Sequence, residues 1–108
     1  MKLPADAIIA PRKLRAYLLE RRVEDDKSAF LALAGYSPAN PERLETDLRS
    51  LLETHESGFV ETTEYGDKFE IRGTLAGRNG RRLRVVTIWM KEAATGLTKF
   101  ITLYLDKT

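Results

Sequence analysis

Cysteine is absent from the 108 residues, and histidine occurs once. The first absence excludes disulfides and thiolate metal sites. The second excludes a histidine-rich metal centre within one chain. No metal and no cofactor is therefore expected. Long apolar runs are missing too. Phe30 to Ala34 is typical of the stretches present, whereas a membrane span needs roughly 20 residues. The segment Met1 to Asp6 lacks the apolar core, roughly 7–15 residues long, of a signal peptide. The expectation is a cytoplasmic protein without membrane attachment. What remains is ordinary globular usage, 43% hydrophobic and 31% charged, enough for one domain with a modest core. Residues 1–108 are read as that domain, with a helical half at 1–57 and a β half at 58–108.

The net charge of +2 conceals an uneven distribution. Residues 1–66 carry 9 basic and 12 acidic side chains, a net of −3. Residues 67–108 carry 9 basic and 4 acidic, a net of +5. Such a dipole can steer an anionic partner to one side of a molecule. A hairpin also uses charge at its tip for solubility and against edge pairing, so charge alone leaves both readings open.

Pro11 opens a helical pattern with Leu14, Tyr17 and Leu18 at i, i+3 and i+4. A second runs from Glu24 to Ala34, with acids in its first turn and Gly35 at its end. Asn40-Pro41 suits an N-cap followed by a first helical residue. The third helix then places Leu44, Leu48, Leu51, Leu52 and His55 on one face. After Gly58 the period falls to two. Phe59 to Tyr65, Lys68 to Ala76, Arg82 to Lys91 and Lys99 to Leu105 read as strands. The expected architecture is α+β, with about three N-terminal helices packed on one face of a four-stranded antiparallel meander sheet.

Asn79-Gly80 predicts a two-residue hairpin loop. That loop sets Arg78 opposite Arg81, Arg72 opposite Thr87 and Glu70 opposite Trp89. Phe69, Ile71 and Leu75 then share the helix-covered face with Val86, Ile88 and Met90, and with Arg84 near its rim. The other face is expected to carry Glu70, Arg72, Thr87, Trp89, Phe100, Thr102 and Tyr104. Arginine binds phosphate in bidentate fashion, hydroxyls donate to phosphate oxygens, and aromatics stack on unpaired bases. The competing reading packs Trp89 and Tyr104 into a core.

The runs Thr63-Glu64-Tyr65-Gly66-Asp67-Lys68-Phe69-Glu70-Ile71-Arg72-Gly73-Thr74-Leu75, Gly77-Arg78-Asn79-Gly80-Arg81, Arg84-Val85-Val86-Thr87-Ile88-Trp89 and Lys99-Phe100-Ile101-Thr102-Leu103-Tyr104 resemble an uncharacterised family of small bacterial toxin-like domains. Lys27-Ser28-Ala29-Phe30 with Gly35-Tyr36 matches that family's upstream helix. Arg78 stands where the family has proline, and Leu105-Asp106 replaces its terminal proline. Family members stand alone in toxin–antitoxin-like gene pairs or end larger secreted proteins. The resemblance thus implies a bacterial toxin with a cognate antitoxin or immunity protein. The helices-then-sheet order is similar to the metal-independent ribonuclease toxins that group barnase with tRNA-cleaving colicins. This analogy of fold implies RNA, tRNA included, as substrate.

Transesterification at a ribose 2′-hydroxyl needs a base, an acid and cations around the phosphate. The catalytic candidates are Lys27, Lys68, Glu70, Arg72, Thr87 and Tyr104. The RNA-binding candidates are Arg78, Arg81, Arg82, Arg84, Trp89 and Thr102. Lys27 equally well balances Asp25 and Asp26, and His55 is read as structural, favoured by the end of its helix. The alternative function is a non-catalytic binding module, or the antitoxin or immunity side of such a pair. In that reading the sheet face or the exposed last strand docks another protein, and an edge strand is where a homo-oligomer would form.

Overall fold

The structure, a computed structural model, describes residues 2–14, 28–77 and 80–106. Its elements are α1 (Ser28–Leu33), α2 (Pro41–Thr54), β1 (Gly58–Thr63), β2 (Gly66–Ala76), β3 (Arg82–Glu92) and β4 (Thr98–Leu105). The strands form one antiparallel sheet in the order β1-β2-β3-β4.

The expectation of about three helices is corrected. Among the described residues there are two, six-residue α1 and 14-residue α2. The first predicted helix, from Pro11 to Arg22, falls outside the described residues beyond Leu14. The second is described only from Ser28. It is closed by Gly35, as expected, whose φ of 87° suits the left-handed region where glycine carries no steric cost. The third is α2, with Leu44, Leu48, Leu51 and Leu52 buried. Asn40 does not cap it through its side chain. Its Oδ1 instead accepts from the backbone N–H of Ser37 at 3.0 Å, closing the preceding turn. Pro41 lacks the N–H that helices leave unpaired at this position.

The β2–β3 register differs by one residue from the prediction. Ala76 pairs with Arg82 and Arg72 with Val86. The Gly77 N–H donates to the Arg81 carbonyl at 3.0 Å, which closes a hairpin loop between those two residues. Gly80, with φ of 82°, supplies the left-handed residue that such loops need. Gly77 itself lies against the end of α1. A Cβ there would come within 1.7 Å of the Ala34 carbonyl oxygen.

A one-residue slip moves a strand's side chains to the opposite face. Here β3 reverses, while β2 keeps Phe69, Ile71 and Leu75 inside. Thr87 and Trp89, expected on the open face, are fully buried on the α2 side. Phe100 also turns inward. A bulge between Ile88 and Trp89 sets Trp89 opposite Phe100 but Ile88 opposite Thr102, which skips Ile101. Trp89 and Phe100 meet edge to face, with centroids 5.2 Å apart. The Trp89 indole N–H donates to Thr87 Oγ1 at 2.8 Å, and that hydroxyl donates to the Ile71 carbonyl at 3.0 Å. One threonine thus satisfies the polar atom of a buried indole, which would otherwise be costly.

The N-terminal segment completes the core with Leu3, Ala7, Ile9 and Leu14. It also pairs along the outer edge of β4, so the last strand is not the exposed docking edge expected. The Ile8 N–H donates to the Thr98 carbonyl, and the Phe100 N–H donates to the Ile8 carbonyl, both at 2.8 Å. On α2, Asp47 accepts from the Tyr36 hydroxyl and lies 3.5 Å from Arg43. Burial first, then Asp47, pushes the Tyr36 phenol above its ordinary pKa.

Thr87→Val should lower unfolding free energy by about 1–3 kcal/mol, the cost of an unpaired buried donor, and the loss is measurable by urea denaturation. The neutral Tyr36 phenol is the form the fold favours. Its contribution is therefore intact below the unfolded tyrosine pKa of about 10 and is lost as pH rises above it. Thermal melts between neutral and alkaline pH should show a shallower alkaline loss in Tyr36→Phe than in the native protein.

Candidate functional site on the outer sheet face

The side of the sheet away from α2 is built from alternate residues. On β2 these are Lys68, Glu70, Arg72 and Thr74. Opposite them on β3 stand Met90, Ile88, Val86 and Arg84. On β4, Lys99, Thr102 and Tyr104 pair with Met90, Ile88 and Val86. Val86 and Met90 are buried, yet neither belongs to the helix-side core cluster. They form an apolar floor, and the polar side chains rise on both flanks of it.

Arg72 is at the centre. Its Nε lies 3.4 Å from Glu70 Oε1, two residues away on the same strand face. Its Nη1 lies 3.2 Å from Asp106 Oδ1, at the end of β4. The Asp106 N–H donates to the Arg84 carbonyl at 2.9 Å, which fixes that carboxylate across β3. The charge of Glu70 raises the Arg72 pKa above its ordinary value against desolvation, and the hydrogen bonds that Arg72 donates to Glu70 and Asp106 add to the rise. The guanidinium keeps its charge at every working pH. Its side chain is still 48% exposed, so an anion can reach it.

The outer face therefore brings together Lys68, Glu70, Arg72, Thr102 and Tyr104 among the candidates, with Arg82 and Arg84 towards the hairpin end. Arg84 is exposed here and does not lie at the helix-side rim as expected. Arg81 is exposed at the loop. Thr87 and Trp89 are excluded by burial. Lys27 and Arg78 lie outside the described residues. Asp106 was missed, although it continues the alternation of Thr102 and Tyr104. His55 stands on the other side, beside Gly73, with Nδ1 2.7 Å from Thr54 Oγ1.

Among the described residues no group of three histidine, aspartate or glutamate side chains is placed to hold a metal. No described helix is long and apolar enough to cross a membrane. Two clefts, of about 240 and 280 Å³, meet at Lys91 and Gly96, at the end of the sheet away from Arg72, and contain none of the candidates.

Residues 2–107 match the model of a domain of unknown function, DUF6883. The chain belongs to the DUF6883 family. This DUF6883 domain is also similar in fold to a chain of the contact-dependent growth inhibition toxin–immunity protein complex from Klebsiella pneumoniae 342. The TM-score is 0.64 at 16% identity, over 96% of this chain and 97% of that chain. At that identity the likeness is one of fold. No curated protein matches the DUF6883 chain.

Exposed ion pairs contribute little to folding. Arg72→Ala should change unfolding free energy by less than about 1 kcal/mol. Emission from Trp89, the single tryptophan, should stay that of a buried indole. A large red shift would mean that Arg72 holds the fold together.

Proposed function

We propose that this protein is the toxin of a toxin–immunity pair and that it cleaves RNA in the cytoplasm without a metal. The observation that carries the reading is Arg72, charged and reachable, beside Glu70 on an open sheet face ringed by Lys68, Arg84, Thr102 and Tyr104. The likeness of fold to a chain of a toxin–immunity complex supports the toxin side of the reading. So does the family resemblance of the sheet motifs.

The chemistry is in-line attack of a ribose 2′-hydroxyl on the neighbouring phosphorus. Glu70 takes the 2′-hydroxyl proton as the O2′–P bond forms. Arg72 and Lys68 stabilise the charge that develops on the phosphate oxygens. The P–O5′ bond breaks, and Tyr104 gives the leaving oxygen its proton, which leaves a 2′,3′-cyclic phosphate. Arg72 exchanges its carboxylate partners for phosphate on binding, a substitution its planar fork accommodates. Thr102 donates to a phosphate oxygen, and Arg81, Arg82 and Arg84 hold the flanking backbone. With Trp89 in the core, base stacking falls to Tyr104, which is 42% exposed.

A second reading, an immunity or binding module, is favoured by the exposed apolar side chains of Phe59, Val60 and Tyr65 along the β1 edge of the sheet.

Purified protein incubated with total RNA or tRNA in EDTA should yield fragments ending in 2′,3′-cyclic phosphate. Glu70→Gln should slow cleavage about 10²-fold or more. Inducing the gene should arrest growth, and co-expressing the cognate partner should restore it. Intact RNA together with normal growth would contradict the toxin reading and leave the binding module.

A further inference from the structure

The two edges of the sheet are treated differently by the fold. The outer edge of β4 is occupied by the chain itself. Ile8 exchanges main-chain hydrogen bonds with Thr98 and Phe100, and Lys13 Nζ donates to the Ile101 carbonyl at 2.8 Å. β1 is the first strand of the sheet, and among the described residues no strand lies beyond it. Gly58 to Thr62 are all exposed. An open strand offers a row of unpaired N–H and C=O groups for another chain to complete.

The side chains of that edge are those of a binding strip. Phe59 stacks edge-on against Phe69 with centroids 5.9 Å apart, yet remains 61% exposed. Val60, at the β1 bulge, is 44% exposed, and Tyr65 in the following turn is 70% exposed. Phe59 points to the α2 side of the sheet with Phe69, and Glu61 to the outer face with Lys68. Glu61 forms no ion pair with a described residue. An added strand would therefore meet an apolar position on one face and a carboxylate on the other.

Charge selects the occupant. Residues 58–65 contain Glu61 and Glu64 and no lysine or arginine. A second copy in antiparallel pairing would bring this acidic strip against itself, and opposed like charges destabilise a strand pair. We propose that the β1 edge docks an extended segment of a partner protein, with lysine or arginine alternating with apolar residues, by strand addition. This surface is separate from the outer face, and the proposal is independent of RNA cleavage.

Amide hydrogen exchange of the full chain, read residue by residue, tests this with two eight-residue peptides, one alternating lysine with valine and one alternating glutamate with valine. The lysine peptide should slow exchange at residues 58–63 at least tenfold, the glutamate peptide should not, and Glu61→Lys should reverse the preference. Three results would overturn the proposal: no added protection with the lysine peptide, equal protection by both peptides, or protection without peptide that grows with protein concentration. The last would mean that a second copy fills the edge.

Discussion

The contact of Gly77 with Ala34 sets the rest of the structure. No side chain fits between that position and the Ala34 carbonyl, so the hairpin must turn where β2 meets the end of α1. The main-chain bond between Gly77 and Arg81 follows, and with it the pairing of every β2 residue with β3. That pairing decides which residues of β3 are core and which are surface. It places an indole and its threonine partner inside, and it leaves an arginine between two carboxylates outside.

Much of the fold was legible in the sequence, and the failures have identifiable causes. The leucine spacing of α2 and the alternation of β2 were decisive because each has one apolar side only. β3 was ambiguous because Val85, Val86, Thr87, Ile88, Trp89 and Met90 suit burial on either face. Its orientation rested wholly on loop length, and Asn-Gly serves a three-residue loop as well as a two-residue one. The contact that settles the loop, Gly77 on Ala34, spans more than 40 residues and leaves no local trace. The β4 bulge at Ile101 is equally silent. Phe100 therefore read as surface when it is the ring packed against Trp89.

The candidate site was legible where it rested on β2, and partly on β4. Lys68, Glu70 and Arg72 held their face, and so did Thr102 and Tyr104. Thr87 and Trp89 shared the error of β3. Asp106 escaped notice because nothing in the sequence shows its bond to Arg72, 34 residues away. Together, Glu70 and Asp106 hold the guanidinium in place between them. The polar-aromatic surface inferred from sequence is thus smaller and more strongly charged. One tyrosine and a cluster of cations remain, above a floor of Val86 and Met90.

The central claim is that RNA meets the sheet on the face of Arg72. Its most direct measurement is a titration of isotope-labelled protein with a fully 2′-O-methylated oligoribonucleotide, which binds without being cut. Resonances of Lys68, Glu70, Arg72, Arg84, Thr102 and Tyr104 should shift together, while the indole N–H of Trp89 and the hydroxyl-bearing Thr87 stay unchanged. Absence of shifts on the outer face, or shifts centred on Trp89 and Thr87, would contradict the account.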